Sequence, residues 1–109
     1  MGKLWFANDG NRFSDFVIPF SDYIDSKTMA ANVARDFVVP AGKKKVFFSI
    51  TPVGTTFFAD TGRTATIPAD VADGSASEMN PAGRAVTYGI TISVITATNG
   101  AVITAAYFD

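Results

Sequence analysis

Residues 86–108 read VTYGITISVITATNGAVITAAYF. Two β-branched runs, Val86–Ala97 and Ala101–Phe108, flank Thr98-Asn99-Gly100. In the first run Ile90, Ile92 and Val94 fall on one side and Thr91 and Ser93 on the other, the two-residue period of a strand with one buried face. Asn-Gly is the preferred pair for a tight turn because both residues tolerate positive φ. The spacing therefore predicts an antiparallel hairpin closing the chain, with Gly89 marking a bulge or bend early in its first strand.

The rest of the chain continues in the same style. It contains 10 Val, 8 Ile and 12 Thr with 10 Phe, but one Leu (Leu4) and one Glu (Glu78). Such side chains suit a pleated, half-buried surface, whereas a helical domain draws on Leu, Glu, Lys and Gln. Phe37-Val38-Val39 runs into the turn Pro40-Ala41-Gly42. Lys44–Thr51 then places Val46, Phe48 and Ile50 on one face and Phe47, Ser49 and Thr51 on the other. Thr55–Ala59 and Thr64–Ile67 read as further short strands, separated by a turn at Asp60-Thr61-Gly62. Short strands with Gly/Pro turns predict an all-β fold, an antiparallel β-sandwich or jelly-roll-like barrel. At 109 residues there is one domain, with an N-terminal arm and first strand in 1–35 and the sandwich or barrel in 36–108. Within the first part, Phe13–Phe20 reads as a strand ended by Pro19, and Ser26–Val33 as a short helix capped by Ser26 or an irregular strand. Ala69–Arg84 has neither period and is expected to be a long ordered loop with one helical turn near Ser75–Met79.

Composition also excludes chemistries. With no His and no Cys, the chain has no imidazole base, no Ser-His-Asp or Cys-His nucleophile, no thiolate metal site and no disulfide. A net charge of −1 leaves no footprint for nucleic acid or an anionic membrane. Met1–Gly10 turns polar after Phe6, unlike a secretory signal, and Gly89–Ala97 is about half the length of a membrane helix, so a soluble protein is expected. Asp60, Asp70 and Asp73 stand in turn contexts that account for them without a metal or a carboxylate pair. Lys43-Lys44-Lys45, the one charge run, occupies a turn that is normally solvated. The expectation is a protein that is not an enzyme and holds no cofactor or metal.

The aromatic residues point elsewhere. Ten Phe, three Tyr and one Trp exceed the about seven to ten rings that a core of this size absorbs. Phe47-Phe48 and Phe57-Phe58 each send one ring to either face of a strand, leaving one for solvent or a partner. Trp5-Phe6 poses the same question in the N-terminal arm. Interface use is the economical answer. A carbohydrate-binding sandwich is the competing reading, with Trp5, Tyr23, Tyr88 or Tyr107 stacking on sugar rings.

A Val-Pro-Ala-Gly turn (Val39–Gly42), an aromatic strand (Val46–Ile50), a TxxF-A strand (Thr55–Ala59), the loop TIPADVADGSASEMNP (Thr66–Pro81) and a closing pair of β-branched strands follow one another in that order. This arrangement, over roughly residues 36–108, resembles small virion proteins of tailed bacteriophages. The resemblance implies a structural protein of the particle: a capsid decoration (cement) protein that binds the major capsid protein, or a tail- or fibre-associated module. It further implies a homo-oligomer, a trimer in the first instance, located on the virion surface and made in the host cytoplasm. Trp5, Phe6 and Phe13 of the arm would then reach the shell or a neighbouring subunit, and Glu78 and Arg84 would be the charged contacts of the long loop.

Overall fold

The computed structural model describes residues 19–109. The strand-forming runs give β1 (Tyr23–Thr28), β2 (Arg35–Val38), β3 (Lys45–Thr51), β4 (Phe57–Thr61), β5 (Glu78–Met79), β6 (Gly83–Ala85), β7 (Thr91–Thr96) and β8 (Val102–Phe108). β1 pairs with β8, β2 with β7, β3 with β6 and β4 with β5, all antiparallel. The described chain is thus one long hairpin, wound up so that β8 also pairs with β3, and β7 with β4. The result is two four-stranded sheets, A in the order β1-β8-β3-β6 and B in the order β2-β7-β4-β5. This is the eight-stranded jelly-roll winding of an antiparallel β-sandwich.

Except for β4–β5, every connection crosses between the sheets, and the crossings run in zipped pairs. Beside the β7–β8 connection lies that of β1–β2: Met29 N–H donates to Ala101 O at 2.7 Å, Gly100 N–H to Met29 O at 2.8 Å and Asn32 N–H to Thr96 O at 2.8 Å. Val39 N–H to Ile90 O (3.0 Å) and Val86 N–H to Lys44 O (2.8 Å) tie β2–β3 to β6–β7 at the opposite end. Asn80 N–H to Phe57 O (2.8 Å) and Phe48 N–H to Ala82 O (3.0 Å) tie β3–β4 to β5–β6.

This winding corrects the closing hairpin. β7 and β8 belong to different sheets and do not pair. Positive φ falls on Gly100 (85°) and not on Asn99, so the turn lacks the two left-handed residues of a type I′ hairpin. It bonds instead to the neighbouring crossing, with Asn99 Oδ1 accepting from Ala31 N–H at 3.3 Å. Only Thr91–Thr96 of the first run is strand; Gly89 (φ 85°) turns the chain ahead of it. Ser26 lies inside β1 and caps no helix. Asp60 and Thr61 belong to β4, and Thr64–Ile67 is irregular. No helical turn forms at Ser75–Met79: the Asp73 carboxylate accepts from Ser75 N–H (3.0 Å), an Asx turn, and Glu78–Met79 pairs with β4. The strand predicted at Phe13–Phe20 lies mostly outside the described residues, and the first residues described, Pro19 and Phe20, are not in strand.

The core lies between the sheets. Val46, Ile103, Ala105 and Tyr107 of sheet A meet Phe37, Phe57, Ala59, Ile92 and Val94 of sheet B. Phe48 bridges them, its ring centroid 6.3 Å from Phe37 and 5.9 Å from Phe57. Buried Thr96 satisfies its hydroxyl on Thr56 O at 2.7 Å.

Candidate functional site

A two-sheet sandwich can meet a partner at its edges, its ends or its outer faces, and the sequence treats each differently. Among the described residues the four edge strands are β1, β6, β2 and β5. Each places a charged residue on its inward side: Asp25 and Lys27 opposite Ala105 and Ile103, Arg84 opposite Val46, Arg35 opposite Val94, and Glu78 opposite Ala59. Inward-pointing charges at an edge make strand addition by another chain costly, because a new strand would bury them. Lys27 is occupied over the Phe37 ring, its Nζ 5.5 Å from the centroid. Arg35 donates to Thr28 O at 3.2 Å.

Glu78 and Arg84, separated in sequence by the Met79–Gly83 bend, meet across the two sheets. Arg84 Nε donates to Glu78 Oε1 at 3.2 Å, and Nη2 to Oε2 closes a bidentate pair. The pair spans the mouth of a cleft of about 250 Å³ floored by Val46, Phe48 and Ile92. The two residues named from sequence as outward contacts therefore spend their charge on each other. Asp60, at the same mouth, accepts from Arg63 Nε at 3.3 Å and from Ser77 Oγ at 3.4 Å. Among the described residues no group of three or more His, Cys, Asp or Glu is placed to hold a metal ion.

At the end where β1 begins and β8 stops, Lys43 closes a clamp. Its ammonium donates to Asp22 Oδ1 at 2.6 Å and to Asp109 Oδ1 at 2.9 Å, and its side chain is 10% exposed. The hydrogen bond and charge of Lys43 hold the Asp22 carboxyl below its ordinary value, and the two carboxylates raise Lys43. Lys45 Nζ adds a bond to Asp109 O at 3.0 Å. The basic turn is solvated at Lys44 and Lys45, as expected from sequence; Lys43 departs from it, because the β2–β3 connection lies beside the start of β1 and Asp109, and its ammonium is held between two carboxylates.

The outer faces remain. On sheet B the β4–β5 loop, the tip of the wound hairpin, has no second connection to zip with and folds back over the sheet. Ala65 N–H donates to Ser93 Oγ at 2.8 Å and Thr66 N–H to Ser77 Oγ at 3.0 Å. Ser93, Ile95 and Ala65 are buried, while Val38 and Met79 at the edges stay exposed. On sheet A the register sets Ile24, Ala106, Phe47 and Gly83 in one row across four strands. Phe108 packs edge-on against Phe47, with centroids 5.3 Å apart. A Cβ on Gly83 would stand 2.7 Å from Phe47 Cε2, so the ring lies directly on that glycine. Towards the other end the face turns to hydroxyls, with Ser26, Thr104 and Ser49 in register and then Thr28, Val102 and Thr51. Among the described strand residues, Lys45 is the one charged residue on it. Ile24 is 57% exposed and Phe47 39%, whereas Phe48 and Phe57 turn inward, the division of rings that the adjacent Phe pairs predict.

Of the sequence candidates, Trp5, Phe6 and Phe13 lie outside the described residues. Tyr107 is fully buried and its ring stands at 80° to that of Tyr23, so the two form no sugar-stacking platform; Tyr88 is exposed in the β6–β7 connection. Phe108 and Ile24 were not singled out from sequence: Ile24 falls between the segments read there as a strand and as a helix or irregular strand, and Ala101–Phe108 carries apolar residues on both of its faces. Among the described residues, fold and surface define an eight-stranded jelly roll with inward charges on its edge strands, one outer face covered by the β4–β5 loop and one uncovered, nearly uncharged outer face. No family model, curated protein or solved structure matches the chain.

Proposed function

We propose that the protein is a non-enzymatic structural protein of a tailed-phage virion, a capsid decoration protein that binds the assembled major capsid protein and itself. The observation that carries the reading is the bare face of sheet A. It is a nearly uncharged surface with an aromatic half and a hydroxyl half, on a domain whose edge strands carry inward charges and whose Glu78–Arg84 and Asp22–Lys43 charges are paired internally. The order of turn, strand and loop motifs that resembles small phage virion proteins supports the particle as its setting. Jelly rolls serve viral coats and lectins alike, so the fold alone does not choose between them.

Cryo-EM of purified particles tests the reading. Symmetric density of this size at capsid three-fold or quasi-three-fold positions is expected, and density confined to the tail would move the protein to the alternative tail or fibre role. Removing residues 1–12 is expected to abolish attachment while leaving the β-domain folded, as judged by circular dichroism. Full decoration by the truncated protein would remove Trp5 and Phe6 from the docking role. Binding of the isolated protein to a glycan array, abolished by Tyr88→Ala, would favour the carbohydrate reading instead.

A further inference from the structure

We infer that the bare face of sheet A receives the N-terminal segment of a second copy of this chain. The inference deepens the reading above, since it assigns the self-contact that an oligomeric virion protein requires.

Elimination leads to the face. Strand addition is opposed at all four edges by inward charges, and the centre of the sheet B face is already covered. The size of the face then selects the occupant. Four strands about 4.8 Å apart and about 20 Å long offer at most roughly 400 Å². A stable pair of globular surfaces needs about 800 Å² from each partner, so two such faces pressed together fall short. A single extended segment fits.

Such a segment exists in the 18 residues before Pro19, which carry Trp5, Phe6, Phe13 and Phe16. The point where it leaves is fixed: Ser21 Oγ donates to Tyr107 O at 2.6 Å, and Asp22 is held by Lys43. Its length permits a neighbour to be reached: Phe6 precedes Pro19 by a stretch spanning up to about 43 Å when extended, well beyond the about 20 Å of its own sheet face. The oligomeric state of the whole chain separates contact with a second copy from contact with its own sheet. Phe20, at the exit, is fully exposed. Contact of one copy's segment with the next copy's face is heterologous and closes into a ring at the appropriate rotation, which accommodates a trimer.

Complementation between two defective chains tests this in purified protein. The full-length chain is expected to be oligomeric by light scattering coupled to size exclusion. Removal of residues 1–12 deletes the donor segment, and Ile24→Lys with Phe47→Ser spoils the acceptor face; both proteins are expected to be folded by circular dichroism and monomeric. Mixed in equal amounts they should form a one-to-one dimer, because each supplies what the other lacks. A full-length monomer would overturn the inference, as would self-association of either variant (face to face in the truncated chain, segment to segment in the other) or a mixture that stays monomeric. Should the acceptor variant misfold, Ile24→Lys alone serves, because Ile24 is an exposed edge-strand position. Particle binding of the unmodified chain is scored separately: oligomers that ignore capsids would sink the virion reading alone, and an unmodified chain that decorates capsids as a monomer would sink this inference alone.

Discussion

On the outer side of sheet B the central strand β7 carries Ser93 and Ile95, 3% and 7% exposed. On the outer side of sheet A the central strand β8 carries Thr104 and Ala106, and both are partly open. The strands are equal in number and the winding treats the sheets alike, so the difference comes from one connection. Every crossing loop is held by the crossing beside it, whereas the β4–β5 tip is long and unpaired and can lie down on its own sheet. Sheet B thereby becomes the middle of three layers. Sheet A has no such third layer among the described residues.

The same substitution on the two faces should separate them most widely. Ile95→Asp puts a carboxylate where almost no water reaches, and an unpaired buried charge costs on the order of 4 kcal/mol, enough to unfold a domain of this size. Ile24→Asp, on the bare face, is expected to shift the urea midpoint of the monomeric truncated chain by less than about 0.5 kcal/mol equivalent. Equal effects would mean that the faces are equally covered.

Ser93→Ala asks what holds the cover. It leaves the Ala65 N–H without its buried acceptor, a loss of about 2 kcal/mol. Hydrogen exchange should quicken at Ala65 and Thr66 before it quickens in β7. Uniform acceleration would show that the loop and the sheet open as one unit.

A smaller effect is expected on the bare side from Gly83→Ala. The added methyl collides with the Phe47 ring, but that ring is partly exposed and can swing away, so the expected cost is about 1 kcal/mol. In the Phe47→Ala background the penalty should vanish. If it persists there, the glycine is needed for its backbone and not for the ring.

The same contrast explains what sequence could and could not give. Alternation identified β3 and its two faces, the run Ala101–Phe108 identified β8, and β-branched content identified the class, because each depends on residues adjacent in the chain. Which strands pair was not legible. Tyr23 opposite Tyr107 joins positions 84 apart, and Asn99-Gly100 announces a turn without saying whether its arms pair with each other or with distant strands. Glu78 and Arg84 were singled out as charged residues of an irregular loop. That Pro81 and the left-handed Asn80 (φ 46°) fold them together between two sheets needs the sheets first. Lys43 looked like ordinary turn charge for the same reason: its two carboxylate partners lie 21 and 66 residues away.

One further measurement asks whether a sheet without an outer layer still seals the core. Tyr107 sits on the inner side of β8, and its hydroxyl has no hydrogen-bond partner among the described residues. Burial pushes the phenol up to about 12, with the Asp25 carboxylate and Tyr23 adding to the shift. The folded chain then keeps this proton while the unfolded chain releases it near 10. Stability should accordingly be full below pH 10 and fall as pH rises towards 12, by on the order of 2 kcal/mol in total. Lysines also titrate in that window, so the comparison is with Tyr107→Phe, which lacks the phenol and should lose less stability over the same range. At pH 7 the variant is expected to be at least as stable as the parent, by up to about 1 kcal/mol, since it removes an unpaired buried hydroxyl. Absorbance at the tyrosinate band locates the ionisation directly. A Tyr107 that titrates near 10 in the folded protein would mean that water passes through sheet A, and that the bare face needs an occupant for the core beneath it to be dry.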